Sequence, residues 1–158
     1  MATPLPGMKY MTTKFFVDTN ILIYALDKKA GQKSKIATLW LDELAKREAI
    51  MINLQVINEF CHVAIRKMDH LGDTQIKELA ADFAKWGNDP VNDKTYEAAW
   101  LLRQRYLYSW FDSLLLASAH QLSCSFFLSE DLQDGHDVVG LTIINPFRAK
   151  PSDFLKRI

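Results

Sequence analysis

Four short apolar runs, none longer than a strand, are separated along the chain by stretches with helical periodicity. They are Phe15-Phe16-Val17, AIMIN (Ala49 to Asn53), SFFL (Ser125 to Leu128) and LTII (Leu141 to Ile144). Apolar strands spaced by helices imply a parallel sheet covered on both faces, because each parallel crossover needs a helix and each helix must bury its apolar stripe. The first run passes directly into Asp18, Thr19 and Asn20, and then into an apolar helical pattern, ILIYAL. In such sheets, ligands gather at the carboxyl ends of the strands, where the strand order reverses. Asp18 and the loop after Leu128 both lie at such ends.

The intervening stretches read as helices. The first begins near Ile21, with Thr19 and Asn20 available as caps. Gly31 marks a break, and Ile36, Leu39, Trp40 and Leu44 place a second helix over Lys33 to Arg47. Leu54 to Met68 carries one apolar stripe on Val56, Phe60, Val63 and Ala64. Ile76, Leu79, Ala80 and Phe83 follow the i, i+3, i+4, i+7 pattern. Gly87 to Pro90 closes that helix, and Pro90-Val91 is a candidate for a short fifth strand. Asp93 to Leu107 is aromatic and arginine-rich, whereas Phe111 to Leu122 is nearly all apolar and belongs deep in the core. No repeat or low-complexity tract interrupts the order.

A chain of 158 residues, 49% hydrophobic and 24% charged, fits one soluble domain. No apolar run reaches the roughly 18 residues a membrane span needs. The first stretch, MATPLPGMKYMTT, lacks the basic and apolar segments of a secretory signal, so residues 1–12 read as a loose leader. Cys61 and Cys124 stand in no CxxC or Cys/His cluster and read as reduced, packed thiols, which suits a cytoplasmic protein. The net charge is zero, but gathering four of the 19 acids into one pocket leaves the remaining surface positive by four. The tail residues Arg148, Lys150, Lys156 and Arg157 add local basic charge, a composition that permits nucleic-acid binding.

Four acids stand where apolar elements begin or end. Each has an ordinary role open to it. Asp18 fits a helix cap or an Asx turn. Glu59, at the rim of an apolar arc near Val63 and Arg66, fits a surface ion pair. Asp112, opening the most apolar helix, fits an N-cap, and the helix dipole there favours a carboxylate. Asp131 fits a polar loop. A parallel sheet brings all four to one side, and carboxylates so gathered repel one another without a cation. All-oxygen ligation suits Mg²⁺ or Mn²⁺ rather than zinc. Ser129 can hydrogen-bond a neighbouring carboxylate, and Asp134 lies one turn further from the sheet edge. His62, His70, His120 and His136 are not spaced as ligands. Trp100, Tyr106, Tyr108 and Trp110 fit core packing or base stacking.

FVDTNILIYAL, INEF, RYLYSWFDSLLLASAHQL, SFFLSEDLQDG and IINPF, in that order over residues 14–147, resemble the PIN-domain nucleases. Within that family they are most similar to the toxins of VapBC-type toxin–antitoxin pairs. The resemblance implies an α/β fold with a parallel sheet of about five strands between helices, spanning residues 13–147, with residues 148–158 as a basic tail. It implies Mg²⁺- or Mn²⁺-dependent cleavage of RNA, leaving 5′-phosphate and 3′-hydroxyl ends. Asp18, Glu59, Asp112 and Asp131 match the family's four acids in order. Asn20 and Ser129 match the polar positions supporting them, and Asp134 stands where relatives vary. Homodimers and a cognate antitoxin that inserts a segment into the toxin groove are also implied. The face Ile76–Phe83 and the tail residues Phe154, Leu155 and Ile158 are candidate contact surfaces.

Two other functions are open to these residues. A PIN-like fold that cleaves nothing can serve as a regulatory module binding protein or RNA. A haloacid-dehalogenase-like phosphotransferase would use Asp18 as nucleophile. It needs a second acid two residues on, where this chain has Asn20.

Overall fold

The computed structural model describes residues 13–155. The leader 1–12 and the tail residues Lys156, Arg157 and Ile158 lie outside them. A five-stranded sheet carries six helices. Its strands are β1 (Phe15–Val17), β2 (Ile50–Met51), β3 (Phe126–Leu128), β4 (Asp137–Val138) and β5 (Leu141–Ile144). Their spatial order is β2-β1-β3-β5-β4. β1 pairs parallel with β2 and β3, and β3 pairs parallel with β5.

Two details differ from the sequence expectation. The fifth strand is β4, and it pairs antiparallel with β5. A two-residue connection, Val139-Gly140, allows only a hairpin there. Pro90-Val91 forms no strand. That segment crosses the surface, where the Asp89 carbonyl accepts from the Leu54 N–H at 2.9 Å and Asn92 caps the next helix.

The helices are α1 (Thr19–Leu26), α2 (Gln32–Lys46), α3 (Leu54–Lys67), α4 (Asp73–Ala84), α5 (Asp93–Tyr106) and α6 (Trp110–Gln121). Phe15, Phe16 and Val17 are all fully buried. Successive strand residues point to opposite faces, so both faces of the sheet are covered. On one face Trp40 of α2 packs on Phe15 and Phe154, and Phe126 stacks on Phe15. On the opposite face Phe16 stacks on Phe127 at 5.5 Å. As expected, α6 is the most buried helix, with every residue from Ser113 to Ala119 buried.

The candidate contact surfaces are largely used inside the molecule. Ile76 and Phe83 turn inward, and Phe83 meets Phe60 of α3 edge-on at 4.9 Å. Phe154 packs edge-on against Phe126, so the described part of the tail lies on the domain. The exposed large apolar groups are elsewhere, spread over α2, α3, α5, the start of α6 and the connecting segments. Among the described residues, no helix is long and apolar enough to cross a membrane.

Candidate active site

The strand register builds the site. Val17 lies beside Leu128, and Leu128 beside Ile144, so the next residues in line are Asp18 and Ser129. The Asp18 N–H donates to the Leu128 carbonyl at 3.0 Å, continuing the ladder one residue past the strand. β1 has β2 on one side and β3 on the other, so the chain reverses order at this edge.

Asp18 occupies the N-cap position of α1, yet its side chain makes no capping bond. Its carboxylate instead accepts from the Ser129 hydroxyl at 2.8 Å. Only 5% of Asp18 is exposed. Burial pushes its carboxyl up to about 7. The Ser129 hydrogen bond opposes that rise, and the charges of Asp112, Glu59 and Asp131 add to it. The influence of all three acids on Asp18 reflects their convergence.

The four acids line one cleft of about 510 Å³. Glu59 and Asp112 are half-buried on its walls, and Asp131 stands at its exposed rim. Partial burial, then the charges of Glu130 and Asp112, hold the Asp131 carboxyl above the usual carboxylate range. Each acid has a dedicated donor. Thr19 donates to Glu59 at 2.8 Å, Ser109 donates to Asp112 at 2.7 Å, and Asn20 donates to Asp131. Ser109 also accepts from the Asp112 N–H at 3.1 Å, which makes Ser109 the cap of α6. The cap roles open to Asp18 and Asp112 are therefore not the roles their side chains take.

Among the described residues, Asp18, Asp112 and Asp131 are each held by a side chain through Oδ2. Glu59 is engaged at both oxygens, by Thr19 and, at 3.3 Å, by Gln55. Among the described residues, no lysine or arginine lines the cleft. Four carboxylates with oxygen and amide neighbours make a donor set that fits a hard divalent cation. Among the described residues, no three acidic, histidine or cysteine side chains stand close enough around one point to hold an ion as placed. The fit therefore rests on charge and donor chemistry.

Asp134 lies apart from this cleft and accepts from the Asn145 N–H at 2.8 Å, closing its own loop. The cleft also takes in residues that sequence reasoning passed over. His62 stands on its wall, three residues after Glu59 on α3, and Asn58 and Gln55 share that wall. Helical spacing from Glu59 was the available signal. Thr19 reads as a cap in the sequence but spends its hydroxyl on Glu59. Phe111, beside Asp112, lines the cleft while 57% exposed.

A sequence profile of the PIN domain matches residues 15–134. A search of curated protein sequences finds no match. Among solved structures, a chain of a toxin–antitoxin complex from Klebsiella pneumoniae superposes with a TM-score of 0.63 at 22% identity, over 85% of this chain and 98% of that one. A chain of VapBC2 from Rickettsia felis, bound to a promoter DNA fragment, gives 0.61 at 17% identity over 83% and 97%. VapC20 of Mycobacterium tuberculosis, described as a sarcin–ricin-loop-cleaving toxin, gives 0.53 at 20% identity over 72% and 87%. These likenesses establish a shared fold, and with the profile match over most of its length, the chain belongs to the PIN domain family.

Proposed function

We propose that this protein is a divalent-metal-dependent endoribonuclease, acting in the cytoplasm as the toxin of a toxin–antitoxin pair. The observation that carries the reading is Asp18. Its buried carboxyl, raised to about 7, shares with three more acids a cleft that no lysine or arginine lines among the described residues. A fold used only for binding gains nothing from such an arrangement, and clustered carboxylates destabilise it.

Asp18 and Asp112 would hold one or two Mg²⁺ or Mn²⁺ ions, with Glu59 and Asp131 completing the site directly or through water. Bound there, the ion supplies a Lewis acid that activates a water and neutralises phosphate charge. The chain's own residues do the positioning. Ser129, Ser109 and Asn20 fix the three aspartates, and Thr19 with Gln55 fixes Glu59. Val63, Phe111 and Leu115 form the apolar part of the wall. No protein nucleophile is required. The family resemblance implies attack by water with the 3′-oxygen leaving, which gives 5′-phosphate and 3′-hydroxyl ends.

The likeness to chains solved in toxin–antitoxin complexes supports a cognate antitoxin as partner. A homodimer as the working form rests on the family resemblance alone. The test is digestion of a labelled RNA by the full chain, first in chelator and then across a Mg²⁺ or Mn²⁺ titration. Cleavage should require metal and fall by about a hundredfold or more in Asp18→Asn and Glu59→Gln. Cleavage in chelator, or full activity in both variants, would overturn the proposal.

A further inference from the structure

The two walls of the acidic cleft differ in chemistry. The α3 wall presents Gln55, Asn58 and His62, and Arg66 donates to the His62 ring at 3.2 Å. The opposite wall is the start of α6, where Phe111 is 57% exposed although it lies next to Asp112. Isolated exposed apolar side chains are ordinary. Phe111 differs from those in lining the acidic cleft. The neighbouring Trp110 ring meets Trp100 at 4.7 Å and Tyr96 at 5.5 Å, and Trp100 and Tyr96 are 43% and 47% exposed. Exposed aromatic rings therefore stand both in the cleft, at Phe111, and on nearby α5, at Tyr96 and Trp100.

We infer that Phe111 is a stacking platform for an unpaired nucleobase adjacent to the phosphodiester held among Asp18, Glu59, Asp112 and Asp131. This rests on the nuclease reading above and adds a residue that selects the substrate's form. With a divalent cation held among the acids, a phosphate would be drawn to the cleft and its flanking base would come within reach of the wall beside Asp112. A flat ring there accepts any base by its π-face. The polar α3 wall, with Arg66 behind His62, takes the sugar–phosphate side. A base inside a duplex has both faces covered and cannot lie on Phe111, so the chain favours single strands and loops. A second protein copy is the weaker occupant, because covering Phe111 would close the cleft that the four acids line.

Two variants test this, Phe111→Leu, which keeps the bulk and removes the ring, and Phe111→Tyr, which keeps both. Phe111→Leu should raise the KM for a single-stranded RNA about tenfold with kcat little changed, and Phe111→Tyr should restore it. In an Asp18→Asn background, a single-stranded RNA carrying 2-aminopurine should show stacking quenching that Phe111→Leu abolishes. RNA cleavage with unchanged KM and quenching in Phe111→Leu overturns the platform and leaves the nuclease standing. Ring-dependent quenching with no cleavage by the native chain supports the platform and removes the nuclease. A change in sedimentation mass in Phe111→Leu, with quenching intact, assigns the ring to a second copy and overturns the proposal.

Discussion

The Ser129 hydroxyl donates to the Asp18 carboxylate at 2.8 Å across the junction of β1 and β3. Ser129 is fully buried, and its oxygen also accepts from the Asp131 N–H at 3.3 Å. One hydroxyl thus ties the first acid to the loop bearing the fourth. Ser129→Ala removes the only interaction lowering the Asp18 pKa. The midpoint of the rise of metal-dependent activity with pH should move upward, with metal affinity falling about tenfold or more. An unchanged pH profile would show that Ser129 does not act on Asp18.

Metal-free stability should depend on Asp18 with a definite sign. The carboxyl is raised from 3.8 to about 7 in the fold. Below pH 4 both folded and unfolded chains carry the proton, and nothing is lost. Between pH 4 and 7 the unfolded chain releases it while the folded chain retains it, so stability falls as pH rises. The full loss, on the order of 4 kcal/mol, is reached above pH 7. In chelator, Asp18→Asn should flatten this fall and melt higher than the native chain at pH 8. Denaturant titrations at pH 4.5, 6 and 8 measure it.

Cation binding reverses the same repulsion. At pH 8 added Mg²⁺ should raise the melting temperature more than at pH 5.5, where the ion must displace a proton from Asp18. Thermal melts at both pH values, with and without Mg²⁺, check this.

Glu130 pins the loop that presents Asp131. It accepts from the Tyr24 hydroxyl at 2.6 Å and from Lys33, whose ammonium lies 5.1 Å from the Tyr24 and Phe147 rings. Tyr24→Phe and Glu130→Gln should weaken metal-dependent activity about tenfold by loosening Asp131, with small changes in melting temperature. Activity against temperature, beside the melting curve, separates this from unfolding.

Gly87 tests the packing that sets β2. Its φ is +141°, and a Cβ there would lie 2.1 Å from the Ile52 carbonyl oxygen. Gly87→Ala should cost at least about 2 kcal/mol, lowering the melting temperature by about 5 °C or more.

Four of the five strands and the helices could be read from the sequence because each depends on local pattern. Phe15-Phe16-Val17 is too short and too apolar for anything but a buried strand, and the acid after it marks the sheet edge. What escaped reading depends on contacts distant in the chain. Val138 pairs with Leu141 only because β5 is already placed beside β3, so β4 lacks a periodic signature of its own. Thr19 serves Glu59 forty positions away, so its sequence context suggests only a cap. Whether Phe83 faced solvent or Phe60 could not be decided from α4 alone, since an amphipathic stripe does not name its partner.

The most direct test of the central claim is a Mn²⁺ titration of the full chain at pH 8, followed by electron paramagnetic resonance. The account predicts saturable binding that weakens at least about tenfold in each of Asp18→Asn and Asp112→Asn. Binding of equal strength in all three chains, or no saturable binding in any, would contradict it.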